Sequence, residues 1–370
     1  MYLYLIYTIL LFVAYFEMDR FSYFGRIHKI LFYLILLVFF LLSSLRWERG
    51  TDWMPYYEFY NSISSYSPKS WYFEFGYSYL NYLVKVLFNS YSVLLGILAF
   101  LVYSLVGTTI YKYGVYPILS LAIWFATSIA DVFLTRNTIA ISLAIFSVRY
   151  IIDRKFVPFL LVLAVAFLFH RSALIFFPAY FIYPLKISRS ILVWGMGIVI
   201  VVGLCFSEFV VGHIGGLLGP TIDSKLQYYL QTGTEETFGS AYSAAVVLLK
   251  GAINRSLILI VLLFWMNNER KEDSILNGFI NFYIFGLLLF FMTVPLSPAL
   301  GRIASYYNIF QLFLFPYILL LGKDRRNQIL LFILIGMYFL IRLEGVITNY
   351  KDLYVPYKSI FDIYKTVIIG

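Results

Sequence analysis

Uninterrupted apolar stretches, many of them close to the length of a membrane-spanning helix, recur along the whole chain. A helix of about 20 residues crosses a hydrocarbon core of about 30 Å. Of the 370 residues, 62% are hydrophobic and 13% are charged. Soluble domains average about 45–50% apolar and about 25% charged residues. The sequence therefore predicts an all-α polytopic membrane protein.

The apolar stretches predict roughly twelve transmembrane helices in one bundle, forming a single transmembrane domain over residues 1–370. The predicted spans are Tyr2–Phe16, Ile30–Leu45, Tyr91–Tyr111, Tyr116–Ala130, Asn137–Ile152, Val157–Phe169, Ser172–Pro184, Ser190–Val210, Ala244–Met266, Ile275–Pro295, Ile303–Leu321 and Ile329–Gly345. A shorter amphipathic segment, from about Gly76 to Phe88, predicts a helix at the membrane interface.

Basic residues concentrate in the short connections EMDRFSYFGRIHK, YKYG, RYIIDRK, LKISR, NNERKEDS and KDRRNQ. Because lysine and arginine near helix ends are retained in the cytoplasm, these connections define the cytoplasmic face. The opposite, external face then receives two long segments, residues 46–90 and 211–243, and the short connections near Arg136, His170 and Arg302. The carboxyl-terminal tail is predicted to lie on that face too.

Five arginines lie at or just beyond the predicted external ends of spans, where the orientation rule depletes positive charge. They are Arg46, Arg49, Arg136, Arg171 and Arg302. A guanidinium binds phosphate oxygens with two parallel hydrogen bonds and keeps its charge at any relevant pH. A ring of arginines at one depth therefore indicates an anion site large enough for a pyrophosphate. The alternative is that each arginine reaches the lipid headgroups or pairs with a nearby acid.

Two of these arginines have polar neighbours that suit such a site. In FLFHRSALIFF, Arg171 follows His170, and histidine is the natural proton acceptor near neutral pH. A structural histidine that bonds a neighbouring helix fits the spacing equally well. In DVFLTRNTIAISLAIF, Arg136 and Asn137 start a predicted helix whose cap is Thr135, and helix starts attract phosphate. Asp131 offers the simpler alternative of neutralising Arg136.

Other classes of chemistry lack their sequence signatures. The chain has one cysteine, and it has no phosphate-binding loop ending in Gly-Lys-Ser/Thr, no nucleophile elbow and no metal-type histidine pair. The net charge of +9 is assigned to the loops that orient the helices and to an anionic substrate, rather than to nucleic acid. No metal and no cofactor are expected.

Five segments of the chain together resemble a known family. They are RWERGTDWMPYYEFY, YFEFGYSYLNYL, LTRNTIAISLAIF, FHRSALIFFPAYF and VPYKSIF. In this order they resemble the R-x-x-x-G-T-D-x-x-x-Y, E-x-G-[YF], R-Q-x-x-A, F-H-x-[ST]-A-L and P-Y elements of EpsG-like exopolysaccharide polymerases, which are relatives of the Wzy-type O-antigen polymerases. Asn137 departs from the family's glutamine, so an amide contact there is shorter or displaced.

The resemblance implies a membrane glycosyltransferase of the bacterial cytoplasmic membrane, similar in architecture to GT-C-type enzymes. It would join oligosaccharide repeat units, carried on polyprenyl pyrophosphate, on the outer face. An acceptor hydroxyl displaces the lipid pyrophosphate, without nucleotide sugar, metal or other cofactor. The implied partners are the lipid-linked oligosaccharide and the bilayer, with a chain-length regulator and a flippase of the same pathway as further candidates.

Within that chemistry the polar residues receive roles. Substrate contacts to pyrophosphate and sugar are expected from Arg46, Arg49, Arg136, Asn137, Arg171 and Arg302, with Arg49 as a helper. The favoured general base is His170, and Asp52 and Glu74 are the alternates, because a carboxylate in a partly buried aromatic cap can have a raised pKa.

Four other functions compete with polymerisation. A flippase for the same glycan would place charges at the bilayer midplane, where only Lys250, Arg255 and Arg342 fall. A ligase would share the chemistry and differ only in its acceptor. A membrane acyltransferase would use an intramembrane histidine facing the cytoplasm. A passive partner of an export complex gives no reason for the external arginines.

Overall fold

The computed structural model describes residues 2–18, 24–50, 52–68, 71–128, 135–187, 274–294, 300–349 and 351–362, with isolated positions between residues 194 and 258. Two predicted spans, Ser190–Val210 and Ala244–Met266, and the external segment 211–243 lie outside these ranges. The chain divides into two compact units. The first comprises Met1–Phe177 with Gly322–Gly370, and the second is Pro178–Leu321.

The described residues fold almost entirely into helices. In chain order the α-helices are α1 Tyr2–Glu17, α2 Phe24–Ser44, α3 Trp53–Ser62, α4 Phe75–Phe88, α5 Tyr91–Tyr113, α6 Pro117–Thr127, α7 Arg136–Ile152, α8 Phe156–Phe169, α9 Ala179–Ile182, α10 Ser274–Thr293, α11 Ser305–Asn308, α12 Gln311–Ile318, α13 Arg325–Asn349 and α14 Lys351–Tyr354. Short 3-10 helices cover Arg171–Phe176, Leu300–Ala304 and Leu319–Leu321. The all-α prediction is confirmed for this part of the chain, and the segment predicted as an interfacial helix is helical, as α4; its interfacial position stays a prediction.

Fewer helices than predicted are long enough to cross a bilayer. By length and composition, the described ranges contain four such helices, α2, α5, α10 and α13. A fifth is added if Gly301–Asn308 and Gln311–Leu321, bent by 51° at their junction, form one span. The prediction of roughly twelve spans is therefore not supported, because α1, α6, α8 and the segment Arg171–Ile182 are apolar but shorter. Apolar composition shows that a segment is buried in lipid or protein, but a short apolar helix does not show by its composition whether it crosses a bilayer.

The first unit is built around α5, α6 and α7. Helix α7 packs against both α8 and α5, α5 packs against α2, and α6 packs against α1. Residues on all sides of α6 are buried, and most of α5 and α7 is buried as well. These three helices form the core of the unit, and their packing fixes the positions of the polar residues at their ends.

A glycine sets the distance between α4 and α8. A Cβ atom placed on Gly76 would lie 2.9 Å from both the Cβ and the carbonyl oxygen of Leu168. Only a residue without a side chain permits this approach of the two backbones. The contact brings the start of α4, and with it Glu74, next to the residues that follow α8. This is a physical reason for the glycine in FEFGY.

The segment after α2 pairs with the tail of the chain. The Trp47 N–H donates to the Lys358 carbonyl at 2.8 Å, and the Ile360 N–H donates to the Leu45 carbonyl at 2.9 Å. Residues 45–47 and 358–360 therefore run antiparallel beside each other. Because the two segments are joined by backbone hydrogen bonds, they lie on the same side of any membrane that the protein spans.

The turn that follows depends on a second glycine. Gly50 has a φ of 103°, which a residue with a side chain rarely adopts. From that turn its N–H donates to the Leu353 carbonyl at 3.0 Å. The glycine of RWERG thus fixes a second contact between this segment and the tail.

In the second unit, α10 packs against α11, α12 and the 3-10 helix Leu300–Ala304. Asn281 of α10 anchors the end of α9 through its side-chain amide, which donates to the Leu185 carbonyl at 2.7 Å and the Ile182 carbonyl at 3.1 Å. Arg302 lies on the 3-10 helix of this unit and is exposed.

Candidate functional site

The start of α7 is held by a reciprocal cap. The Thr138 N–H donates to the Thr135 side-chain oxygen at 3.2 Å, and the Thr135 N–H donates to the Thr138 side-chain oxygen at 3.1 Å. This is a capping box, which satisfies two backbone donors at a helix start. The prediction of Thr135 as the cap is confirmed. Arg136, the first residue of α7, is therefore fixed at a defined position.

Arg136 forms an ion pair with Glu74, which lies 62 residues earlier in the chain. The guanidinium also stacks on Phe73, with its central carbon 4.1 Å from the ring centre. The two charged side chains are mostly buried, with 18% and 15% of their surface exposed. Asp131, the acid proposed from sequence as the partner, lies outside the described residues. The acid that the structure places beside Arg136 is Glu74.

The Arg136–Glu74 pair uses only part of the hydrogen-bonding capacity of the guanidinium. Nη1 donates to Glu74, whereas the buried Nε has no hydrogen-bond partner among the described residues. Buried donors are normally satisfied. Arg136 therefore retains a donor for a further acceptor.

A tyrosine connects Arg136 to Asp52. The Arg136 N–H donates to the Tyr56 hydroxyl at 3.4 Å, and that hydroxyl donates to Asp52 Oδ2 at 3.5 Å. Burial raises the pKa of Tyr56, so the phenol stays protonated and can act as this donor. Asp52 precedes α3 and is half-buried. The two predicted carboxylates, Asp52 and Glu74, thus both lie near the start of α7.

Glu74 also contacts the segment after α8. Its Oε1 accepts a hydrogen bond from the Arg171 N–H at 3.5 Å. The Arg171 side chain is exposed, and it makes no hydrogen bond or ion pair with any other described residue. Arg171 therefore offers an available cation at the edge of the Arg136–Glu74 pair.

His170 caps the 3-10 helix that begins at Arg171. Its Nδ1 accepts the Ser172 N–H at 3.3 Å and lies 2.5 Å from the Ser172 hydroxyl oxygen. That hydroxyl lies 3.4 Å from Asn137 Oδ1, so the polar residues at the start of α7 and at the end of α8 meet here. Burial lowers the pKa of His170, the Glu74 carboxylate opposes this change, and Arg136 adds to it. A neutral imidazole is favoured near pH 7.

Arg46 has different surroundings. Its side chain is buried, with 1% exposed, and Nη1 donates to the Arg49 carbonyl at 2.7 Å. The phenols of Tyr91, Tyr77, Tyr103 and Tyr56 interact with it electrostatically. Burial lowers the pKa of Arg46. The guanidinium is almost fully covered by protein in this arrangement, and the predicted pyrophosphate contact stays a prediction.

Arg49 binds the tail. Its Nη1 donates to the Asp352 carbonyl at 2.8 Å, and its side chain is half-buried. Arg302 belongs to the second compact unit, and its predicted contribution to the same anion site also stays a prediction.

Sequence reasoning missed three contributors to this site. Phe73 lies under the Arg136 guanidinium, Tyr56 joins Arg136 to Asp52, and Ser172 contacts the imidazole of His170. All three stand inside the quoted motifs, each of them two or fewer residues from a charged or imidazole side chain. Their positions in the motifs were the available signal, but only the fold shows what each one contacts.

No group of three or more histidine, cysteine, aspartate or glutamate side chains in the described part of the chain is placed to hold a metal ion. The expectation that no metal is used stays a prediction.

The fold and the site define a helical membrane protein that gathers arginine, carboxylate and imidazole groups at the ends of its helices. The EpsG family profile matches residues 29–359, which is most of the chain. The chain belongs to the EpsG family. No curated protein and no solved structure matched it.

Proposed function

We propose that this protein is a polysaccharide polymerase that joins lipid-linked oligosaccharide repeat units on the outer face of the bacterial cytoplasmic membrane. The observation that carries the proposal is the convergence of four family motifs on one cluster. Arg136, Glu74, His170 and Asp52 come from separate parts of the chain, and hydrogen bonds and ion pairs connect their surroundings. Family membership supports the same class of function.

The reaction consumes a donor glycan carried on polyprenyl pyrophosphate. The acceptor hydroxyl oxygen bonds to the anomeric carbon while the bond from that carbon to the pyrophosphate oxygen breaks. The bonding electron pair leaves with the pyrophosphate, and the hydroxyl proton passes to a base. Fixed cations in a site shielded from water stabilise the departing charge. The base is drawn from His170, Asp52 and Glu74.

Arg136 and Arg171 are proposed as the primary pyrophosphate contacts. Arg136 is held in place by the capping box and by Phe73 and keeps a donor available, whereas Arg171 is exposed and unpaired among the described residues. Asn137, Arg49 and Arg302 are proposed as further contacts, with Arg46 supplying positive charge behind the site. No metal or other cofactor is required by this proposal.

Further features of the proposal come from the sequence: the number of spans from its apolar stretches, and the others from the family resemblance. These are a bundle of about twelve spans similar to GT-C-type glycosyltransferases, a location in the bacterial cytoplasmic membrane, and cooperation with a flippase and a chain-length regulator.

Helix α7 provides a matched control for the test. Arg149, on the last turn of the same helix, stacks on Phe146 and donates to the Thr108 side chain, so it is an arginine of α7 with no part in the site. Arg136→Ala and Arg149→Ala are expressed at matched membrane levels in cells that lack the native protein. Glycan is then analysed on gels in both the surface and the lipid-linked fractions.

We expect Arg136→Ala to leave single repeat units without a ladder, and Arg149→Ala to give the wild-type ladder. Arg136→Lys should rescue only in part, because it keeps the charge and loses the fork. A normal ladder from Arg136→Ala would refute the assignment. If loss of the protein leaves the ladder intact on its lipid carrier, the protein is a ligase. If single units accumulate facing the cytoplasm, it is a flippase.

A further inference from the structure

The two ring nitrogens of His170 have different surroundings. Nδ1 faces the start of the 3-10 helix, where the Ser172 N–H donates to it at 3.3 Å. Nε2 lies on the opposite edge of the ring and has no hydrogen-bond partner among the described residues. Nε2 is therefore the ring nitrogen that remains able to bond a further group.

The backbone contact decides which nitrogen carries the proton of the neutral ring. A backbone N–H is always a donor, so the nitrogen that it faces must offer a lone pair. In a neutral imidazole one nitrogen is the acceptor and the other carries the hydrogen. With Nδ1 as the acceptor, the hydrogen is on Nε2. The Ser172 hydroxyl has one proton, which faces Asn137 Oδ1 at 3.4 Å or His170 Nδ1 at 2.5 Å, and the shorter contact to Nδ1 fits the same assignment when the hydroxyl donates to it.

We propose that His170 serves the polymerase as a hydrogen-bond donor through Nε2–H, directed at an oxygen of the substrate pyrophosphate, and that it does not take the acceptor's proton. Ser172 is a positioning residue, because its backbone N–H fixes the tautomer. This inference rests on the proposed function and deepens it. It departs from the sequence-based expectation that His170 is the base.

The surroundings of the imidazole fit a donor of this kind. His170 interacts electrostatically with Arg136 and Glu74, and Arg171, the next residue, has an exposed guanidinium. A neutral N–H beside two arginines adds a directed hydrogen bond to an anion without adding another buried charge, which would be costly. The acceptor's proton then passes to Asp52 or Glu74, which both lie near the start of α7.

The test compares three substitutions that separate the two nitrogens. In His170→Gln the side-chain amide reaches about as far as Nε2 and donates a hydrogen bond, but it does not take up a proton near neutral pH. In His170→Asn the amide ends near the position of Nδ1, so it can still cap the 3-10 helix but offers no donor at Nε2. His170→Ala removes both groups.

All three variants are expressed at matched membrane levels, and the yield of polymer is measured from glycan gels. Removing one preorganised donor typically costs about 10²–10³ in rate. We therefore expect the polymer yield of His170→Ala and His170→Asn to fall by a factor of about 10²–10³. The yield of His170→Gln should stay within about tenfold of wild type. Equal loss in all three variants would mean that His170 is the base, and an active His170→Asn beside an inactive His170→Gln would mean that it only caps the helix. Either result overturns the proposal.

Ser172→Ala gives a second, independent test, because it removes the hydroxyl and keeps the backbone N–H. If the N–H fixes the tautomer, the yield should fall by no more than about fivefold, the effect of one ordinary hydrogen bond. If instead Nδ1–H donates to the hydroxyl and Nε2 is the base, Ser172→Ala should be as damaging as His170→Ala, which would contradict the proposal. Failure of the proposed polymerase function can be distinguished from failure of the proposal for His170, because in the first case the wild-type protein also forms no ladder.

Discussion

Arg136 and Arg46 belong to the same set of predicted external arginines, yet they differ in exposure and in the groups that they contact. Arg136 stacks on Phe73, pairs with Glu74 and keeps part of its surface exposed. Arg46 is buried among tyrosines and donates to a backbone carbonyl. A cation that keeps part of its surface exposed can bind a substrate, whereas a fully buried cation that holds its own backbone stabilises the structure around the site. The same residue type at the predicted external end of a span therefore does not imply the same role.

The largest expected effect comes from exchanging the charges of the Arg136–Glu74 pair. The double variant Arg136→Glu, Glu74→Arg keeps opposite charges in contact, but its guanidinium is attached at position 74, before α4, instead of at the first residue of α7. We expect the apparent melting temperature of the purified protein to stay close to that of wild type. Polymer yield should fall by about 10²–10³, the cost of removing a preorganised donor to a developing negative charge.

The two single variants are the control for this exchange. Each leaves two like charges in contact, so each should melt at a lower temperature than the double variant. Wild-type polymer yield from the double variant would mean that the pair is only structural. Arg136 and Arg46 would then both have structural roles.

Arg46 should show the reverse behaviour. Truncating a large buried side chain to alanine costs about 2–5 kcal/mol of stability, so Arg46→Ala should lower the apparent melting temperature by several degrees. Arg46→Met refills most of the volume and should recover much of that loss. Polymer yield should follow the amount of folded protein in both variants. If Arg46→Met is as stable as wild type and yet makes no polymer, Arg46 contacts the substrate directly, as predicted from the sequence.

The sequence was informative about the class of fold and about which motifs carry polar chemistry. The boundaries of α4, α7 and α8 fall within one residue of the predicted segments, because glycine, threonine caps and apolar periodicity are local signals. In the described part of the chain, fewer helices are long enough to cross a bilayer than the sequence predicted, because a 14-residue apolar helix such as α8 has the same composition as part of a longer one.

The arrangement of the site could not be predicted in the same way. Glu74 and Arg136 are 62 residues apart, and nothing local in the chain pairs them. The burial of Arg46 is likewise invisible in RWERGTD, because it depends on tyrosines from three helices and on the tail that pairs with this segment. Contacts between residues that are far apart in the sequence depend on how the helices pack, so they are seen only in the folded structure.

A moderate effect is expected at Gly76, which holds Glu74 close to α8. Gly76→Ala places a Cβ 2.9 Å from the Leu168 backbone, and overpacking of this kind costs about 1–3 kcal/mol. The start of α4 should move away from α8, so Glu74 loses its contact with the Arg171 N–H and polymer yield falls. Gly96→Ala is the matched control, because a Cβ there meets no atom within 4 Å. A fall in both variants would show a general intolerance of alanine rather than a positioning effect.

The smallest effect is expected where the tail meets the segment that contains Arg46. Lys358 pairs with Glu48 at 3.0 Å, but both side chains are exposed by more than two fifths, and exposed pairs contribute about 0–1 kcal/mol. The two segments are held instead by backbone hydrogen bonds, which alanine substitutions keep. Lys358→Ala and Glu48→Ala should therefore leave both the melting temperature and the polymer ladder close to wild type. A large loss of polymer with an unchanged melting temperature would show that these charges bind substrate. The tail would then have a binding role like that proposed for Arg136, and not a structural role like that of Arg46.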